Sequence, residues 1–400
     1  MNKSILIFGA GLNQLTLIKS AKELGLIAIV IDPSDNAPSK GLADFFYRVD
    51  GQDYETTKLI AIKHNVLGIV TSQMEKPMRL MAKLAQDLGL IFHTPVVTEK
   101  SLDKWLMKKT FLENNVPCAK GKLLKDSEEF VKEFLSEISF PLIIKPKDAT
   151  SSQGVYKIEN FEEIEKYRNI TSGFSKTSEI IIEEFLDGPE FSVESITFNG
   201  KTTIVQITEK FVTPFPRTVE MGHLQPAQLN KDQKKQISEV VISAINAICI
   251  DNSAAHTEVK LTSGGPKIVE IGARLGGDYI SSYLTLHSCG VNMDRAAIQI
   301  AFGEEPNLNP TLNQFSYVKY FDLPAGKKVE KIEQWDDVLE NEDIVFANLA
   351  VKEGDIIEEI TESKKRPGFV IVKGYSRTDV IEKALFYENK LKQKITLGDQ

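Results

Sequence analysis

Apolar runs and helix-spaced apolar residues alternate from the start of the chain. Residues 4–8 read SILIF, a buried strand. Leu15, Ile18, Ala21 and Leu24 then recur at helical spacing up to Gly25, and a second apolar run, 26–31, stops at Asp32-Pro33. Strand, helix, strand predicts a βαβ unit and so a parallel sheet covered by helices. The rhythm continues with a strand at 67–71, a helix at 78–88 and Ile91-Phe92, which sets a first domain over residues 1–96. Further on, 98–114 has helical spacing, and 140–146 is an apolar strand that closes on Lys145-Pro146. Residues 179–186 (EIIIEEFL) and 190–198 (EFSVESITF) read as strands separated by Asp187-Gly188-Pro189, and 202–208 returns after Gly200. The proline-rich stretch 213–226 reads as loop, 231–249 as an amphipathic helix and 292–301 as a helix. These segments make a middle domain of 97–305, with a subdomain at about 115–183. Short strands at 317–321, 345–351 and 368–372 and a helix at 377–390 give a small α+β unit over 306–400.

The stretch 254–278, AAHTEVKLTSGGPKIVEIGARLGGD, carries most of the chemistry. It reads as two strands joined by Ser263-Gly264-Gly265-Pro266, which breaks any regular element. Alternation puts His256, Glu258 and Lys260 on one face, and Ile268, Glu270, Gly272 and Arg274 on one face of the return strand. A turn near Gly264 sets Glu258 opposite Glu270, about 5 Å away. Two carboxylates that close repel, so a positive charge belongs between them. Lys260 and Arg274 could supply it, but Mg²⁺, typically held by one or two carboxylates plus phosphates, fits better. The bland alternative is a surface hairpin with solvated charges. Gly276-Gly277, just beyond Arg274, would let the backbone approach a ligand closely.

Composition narrows the class. The chain has 400 residues, a net charge of −8 and an ordinary apolar fraction of 42%, with no basic stripe. That speaks against non-specific nucleic-acid binding. Cys118, Cys249 and Cys289 are scattered and odd in number, so neither a zinc pair nor a disulfide framework is implied. No apolar run approaches bilayer length, and Gly9–Gln14 interrupts the N-terminal run too early for a signal h-region. A cytoplasmic protein is expected, without membrane or nucleic-acid partners.

Two loops resemble nucleotide sites. Gly9-Ala10-Gly11 with Asp32 has the interval of a dinucleotide fingerprint, but Gln14 stands where the last glycine belongs, so the signal is weak. After Lys145, the small and hydroxylated residues 149–155 (ATSSQGV) leave backbone N–H groups accessible, as phosphate-cradling loops do. On their own they would more often be a simple turn. The lysines of the 98–114 helix, taken alone, read as a solvated basic face.

In this order the motifs resemble the ATP-grasp superfamily over nearly the whole chain: helix lysine, strand-end lysine, small-residue loop, IIIEEFLDGPEFSVE, HTEVKL and EIGARLGGD. GAGLNQLTLIKSAKELGL and EMGHLQPA look closest to the L-amino-acid ligases of the bacilysin-synthetase type. The resemblance implies an N-terminal open parallel α/β domain, a two-part ATP-binding body and an α+β C-terminal unit. It implies an ATP- and Mg²⁺-dependent carboxylate–amine ligase, with Mn²⁺ the alternative ion, working through an acyl-phosphate. Amino-acid and amine substrates follow, and homodimers are common for this architecture. Carried onto this chain, Lys109 and Lys145 would contact phosphates. Ser151, Ser152 and Gly154 would close over the triphosphate. Glu183, Glu184, Phe185 and Leu186 would hold adenine, and Glu190 the ribose. Glu258 and Glu270 would hold the metal, Arg274 would face the phosphoryl group, and His223, on a mobile loop, would approach the acid substrate. Many superfamily members place Asn where this chain has Gly272, which puts a second metal in doubt. A bicarbonate-using carboxylase or carbamoyl-phosphate-forming enzyme is the runner-up, and a non-catalytic nucleotide-binding regulator the third reading.

Overall fold

The computed structural model describes residues 3–124, 138–149, 153–215 and 217–399. The first βαβ pattern becomes a parallel sheet of β1 (Ser4–Phe8), β2 (Ile27–Asp32), β3 (Phe45–Arg48) and β4 (Val66–Thr71), in the order β3-β2-β1-β4. All five residues of β1 are buried, as a strand covered on both faces requires. The glycine loop after β1 is occupied by its own chain. Asp32 accepts the Ala10 N–H at 2.9 Å, Gln14 accepts that of Gly11 at 3.0 Å, and the Gln14 amide donates to Ser72 O. The residue that breaks the fingerprint therefore fills the loop.

A small antiparallel sheet follows: β5 (Gly121–Leu123), β6 (Leu142–Pro146), β7 (Tyr156–Ile158) and β8 (Ile180–Glu184), in the order β5-β8-β6-β7. The rest of the chain builds a larger sheet from β9 (Glu190–Phe198), β10 (Lys201–Val212), β11 (Glu220–Gln225), β12 (Ser253–Thr262), β13 (Gly265–Gly272) and β14 (Phe315–Tyr320). After a short β15 (Lys328–Ile332) come β16 (Ile344–Leu349), β17 (Gly368–Gly374) and β18 (Ile395–Gly398). The large sheet runs β13-β12-β9-β10-β11-β14-β17-β16, while β15 pairs with β18. Strands from the middle and the end of the sequence thus share one eight-stranded sheet.

Two departures from the sequence pattern shape the site. The 98–114 stretch is two helices, Pro95–Leu102 and Lys104–Glu113. Asp103 separates them and caps the second by accepting the Trp105 and Leu106 N–H groups at 2.9 Å. The 213–226 stretch is not all loop, because β11 occupies Glu220–Gln225.

The helix Lys231–Ile248 covers one face of β12 and β13. Its Ile237, Val241, Ala244, Ile245 and Ile248 pack with Ala255, Val259, Ile268 and Ile271 of the strands and with Met107 and Phe111. Burying each such Ile or Val is worth roughly 1.5–3 kcal/mol. This apolar face fixes which side of the hairpin carries charge. A register shift between Glu258 and Val259 pairs Val259 with Ile268 and leaves Val269 as the extra residue. Ile268 therefore joins the core with Ile271 instead of sharing the face of Glu270, the bulge having reversed the alternation there. The N-terminal domain is locked on by Ile298 of the helix Met293–Ala301, which sits among Ile5, Ile7 and Val70, and by a parallel bridge from Ser72 to Leu275.

Candidate active site

Glu258 and Glu270 are register partners across β12 and β13. They do not face each other bare. Lys104, first residue of its helix, pairs with Glu270. Lys210 of β10 lies 2.7 Å from Glu258, 2.5 Å from Glu190 and 3.7 Å from Glu220, with its side chain 3% exposed. Burial would lower the Lys210 pKa, but the Glu190, Glu258 and Glu220 carboxylates outweigh it and hold it well above its ordinary value. Burial likewise raises Glu258, and Lys210 and His256 bring it down to about 2.

The strand-end lysine sits in a second charge group. Glu183 lies between Lys145, at 2.6 Å, and Lys108, at 2.8 Å. Burial would raise the Glu183 pKa, yet the two ammoniums hold it at about 2. Lys145 is pushed down by its burial and by the neighbouring Lys108 and Lys104, which Glu183 only partly offsets. Lys108 also donates to Ala119 O at 2.7 Å.

The 274–278 loop joins the groups. Arg274 lies 2.5 Å from Glu75 of the N-terminal domain and donates to Leu275 O at 3.1 Å. Its Nε is buried with no acceptor among the described residues. A buried donor left open in this way suits an incoming anion. Asp278 accepts two hydrogen bonds from Arg366, both 2.7 Å, and lies 3.1 Å from His223 Nε2. Arg366 also stacks over Tyr320 at 3.5 Å and donates to Glu220 O.

The sequence-selected residues divide accordingly. Glu190, Glu258, Glu270, Arg274 and Lys145 lie in or beside these groups. His223 is on β11 rather than a loop, is 2% exposed and points to Asp278. Lys109 stands apart, 58% exposed and only 3.7 Å from Glu113. The helix restart at Asp103 turns Lys104 and Lys108 inward instead. Glu183 spends its carboxylate on the two lysines. Glu184 pairs with Lys267 at 2.7 Å. Phe185 meets Phe215 edge-on, and Leu186 is buried. Gly154 has a φ of +71° and its carbonyl accepts the Thr171 hydroxyl at 3.1 Å. Ser151 and Ser152 lie outside the described residues. Lys104 and Lys108 are thus not part of the solvated basic face expected of the 98–114 helix, and Lys210, Glu75 and Arg366 were not singled out by the sequence at all. Asp103 before Lys104, a good N-cap, was the one local signal; the others meet only in three dimensions.

Among the described residues, no three or more His, Cys, Asp or Glu side chains form a ready-made metal cage, and no helix is long and apolar enough to cross a membrane. Two carboxylates suit an ion that completes its shell from phosphates.

Comparisons with known proteins agree with this frame. Residues 138–282 match the family model of the ATP-grasp domain, and residues 320–394 that of the L-amino acid ligase C-terminal domain 2. The chain is 23% identical to carnosine synthase 1 of Homo sapiens over 334 residues, covering 76% of this chain and 40% of that one. It is 30% identical to alanine–anticapsin ligase of Bacillus subtilis (strain 168) over 231 residues, covering 52% and 48%. The matches thus span less than two thirds of these relatives' length. The crystal structure of L-amino acid ligase from Bacillus licheniformis superposes with a TM-score of 0.81 at 22% identity, covering 100% of this chain and 99% of that one. That likeness shows the fold. Phosphoribosylamine–glycine ligase of Lactococcus lactis subsp. lactis (strain IL1403) is a further relative, 26% identical over 323 residues and covering 76% of each chain.

Proposed function

Since the chain carries an ATP-grasp domain joined to an L-amino acid ligase C-terminal domain, we propose that it is an ATP- and Mg²⁺-dependent carboxylate–amine ligase with an amino acid as acid substrate. The observation that carries this reading is the pairing of Glu258 with Glu270 beside the half-buried Lys104 and the buried Lys210. A carboxylate does not react usefully with an amine at neutral pH, because its leaving group is oxide. In the proposed reaction a carboxylate oxygen attacks the γ-phosphorus of ATP and ADP departs with the bridging oxygen. The amine nitrogen then attacks the acyl carbon of the acyl-phosphate, phosphate leaves, and the nitrogen loses a proton.

Mg²⁺, held by Glu258 and Glu270, would neutralise charge on the phosphates. The chain's own residues do the rest. Lys145 and Lys104 supply fixed positive charge where phosphates sit, and a preorganised field is usually the largest catalytic term in a dry site. Arg274 offers its open Nε to the transferred group. Glu190, anchored by Lys210, takes the ribose hydroxyls, and Phe185 and Leu186 form an apolar floor for the base. Water must be kept from the acyl-phosphate, and the small-residue segment after Lys145 is the part to which the resemblance gives this role. His223 acts through Asp278, which it and Arg366 hold at the acid-substrate end.

The test is a phosphate-release screen of the full chain with amino acids offered singly and in pairs. Release that needs ATP, Mg²⁺ and a pair of amino acids is expected. Release stimulated by bicarbonate and indifferent to amino acids would overturn the reading, as would ATP binding without any stimulated hydrolysis.

A further inference from the structure

Behind the carboxylate pair runs a chain of buried polar contacts that the ligase reading leaves unused. Glu194 of β9 is 0% exposed and lies opposite His256 in the β9–β12 register. Its Oε1 is 2.5 Å from His256 Nδ1, and its Oε2 accepts the Ser281 hydroxyl at 2.5 Å. Ser281 Oγ in turn accepts the Gly276 N–H at 2.7 Å. The far imidazole nitrogen, Nε2, lies 4.0 Å from Glu258 Oε1.

A carboxylate cut off from water needs a partner on each oxygen. Glu194 has both, and they belong to different parts of the site. One stands beside a proposed metal carboxylate; the other holds the loop that carries Arg274. The loop is shaped to this arrangement. A Cβ on Gly276 would come within 2.6 Å of both Glu194 Oε2 and His256 Nδ1. Just beyond, Asp278 and Tyr279 have φ values of +52° and +64°. Two consecutive non-glycine residues in that region persist only where their surroundings hold them.

We propose that Glu194 is a positioning residue for phosphoryl transfer, fixing Glu258 through His256 and the Arg274 loop through Ser281, so that both keep one relative placement. This rests on the ligase reading. Outer-shell partners of this kind act on geometry, and a displacement of about 1 Å at a reacting centre can cost about a hundredfold in rate. The phosphate-facing lysines and Glu190 lie outside the network, so nucleotide affinity depends on it less than kcat does.

The experiment compares Glu194→Gln, Ser281→Ala and the double variant Glu194→Gln/His256→Gln in the full chain. Three quantities are read: affinity for a non-hydrolysable ATP analogue with Mg²⁺ by calorimetry, the thermal midpoint, and kcat for ADP release per nucleotide-binding site. The acceptor is the amino-acid pair that gives most phosphate release. Both single variants should lose about tenfold or more in kcat, with nucleotide Kd, which the lysines and Glu190 still support, rising by a clearly smaller factor. The neutral Gln–Gln pair should regain thermal stability without regaining kcat. An unchanged kcat in either single variant, or full recovery in the double, would reduce Glu194 to a packing element. If Glu194→Gln does not fold, Ser281→Ala decides, since it keeps the Glu194–His256 pair. A wild-type chain that binds no magnesium–nucleotide overturns the ligase reading and this inference together; a wild-type chain that binds, with variants that match it, overturns the inference alone.

Discussion

Two groups of buried charge, one on the small antiparallel sheet and one on the large sheet, are unbalanced in opposite senses. On the small sheet one acid, Glu183, serves two ammoniums, Lys108 and Lys145. On the large sheet two ammoniums, Lys210 and, 3.8 Å from Glu190, Lys260, serve three acids, Glu190, Glu258 and Glu220. Neither group closes on itself. The first leaves positive charge over and the second negative charge. A metal–nucleotide has the complementary polarity, with phosphates to take the lysines and a cation and ribose hydroxyls to take the acids. The asymmetry, more than any single pair, separates a nucleotide site from a stabilising ion-pair cluster, in which charges would cancel locally.

Breaking the acidic group should have the largest effect. Glu270→Gln is expected to cut ADP formation about a hundredfold or more at saturating Mg²⁺ while the folded far-ultraviolet spectrum persists. Turnover retained there would mean that the large-sheet acids do not hold the ion. Breaking the basic group comes next. Lys145→Met should weaken ATP binding about tenfold to a hundredfold by calorimetry, the worth of one charged hydrogen bond, while Glu183 keeps Lys108 as its partner. A smaller effect sharpens the comparison by pH. Glu183 is held at about 2, below an ordinary 4.5, and Glu258 is also held at about 2. A depressed carboxylate contributes stability that is present above its unfolded pKa and lost as pH falls through the folded one. The thermal midpoint should therefore drop as pH is lowered from about 4.5 towards 2, and Glu183→Gln should flatten part of that drop. An unchanged slope in that variant would remove Glu183 from the account. The smallest effect belongs to Lys109→Ala. Its exposed pair with Glu113 should be worth next to nothing, and nucleotide affinity should move by less than about twofold. A tenfold loss would place the basic group on the wrong face of the helix.

The pairing of Glu258 with Glu270 was legible because strand alternation and a glycine turn are local rules, and the bulge at Val269 lies on the far side of that pair. The same bulge misled the reading of Ile268. The lysines were not legible as a set: Asp103 interrupts the helical phase, and a continuous 98–114 helix gives no reason to turn Lys104 and Lys108 inward rather than Lys109. Proline-rich flanks disguised β11, whose strand character comes from pairing with β10 and β14. Glu75 with Arg274, Asp278 with Arg366 and Glu194 with Ser281 join residues 199, 88 and 87 positions apart, and no periodicity encodes such meetings. Three strands of the parallel N-terminal sheet, β1, β2 and β4, could be read because each is nearly all apolar, whereas β3 is four residues long with both ends exposed and left no such run. The merging of β14, β16 and β17 into the large sheet could not, because antiparallel partners leave no mark on each other's sequence.

That merging has a consequence for anyone who would trim this chain. The His223 strand has β10 on one side and β14 on the other, and Leu224 is covered by Tyr317, Val370 and Val372. A fragment ended near residue 305 would bare the hydrogen-bonding edge of that strand and uncover its side chains, and an open edge invites pairing with other chains. Such a fragment should aggregate rather than survive as a minimal catalyst. By the same reasoning, exchanging the last hundred residues for another module works only if the newcomer brings a strand to lay in the vacated place.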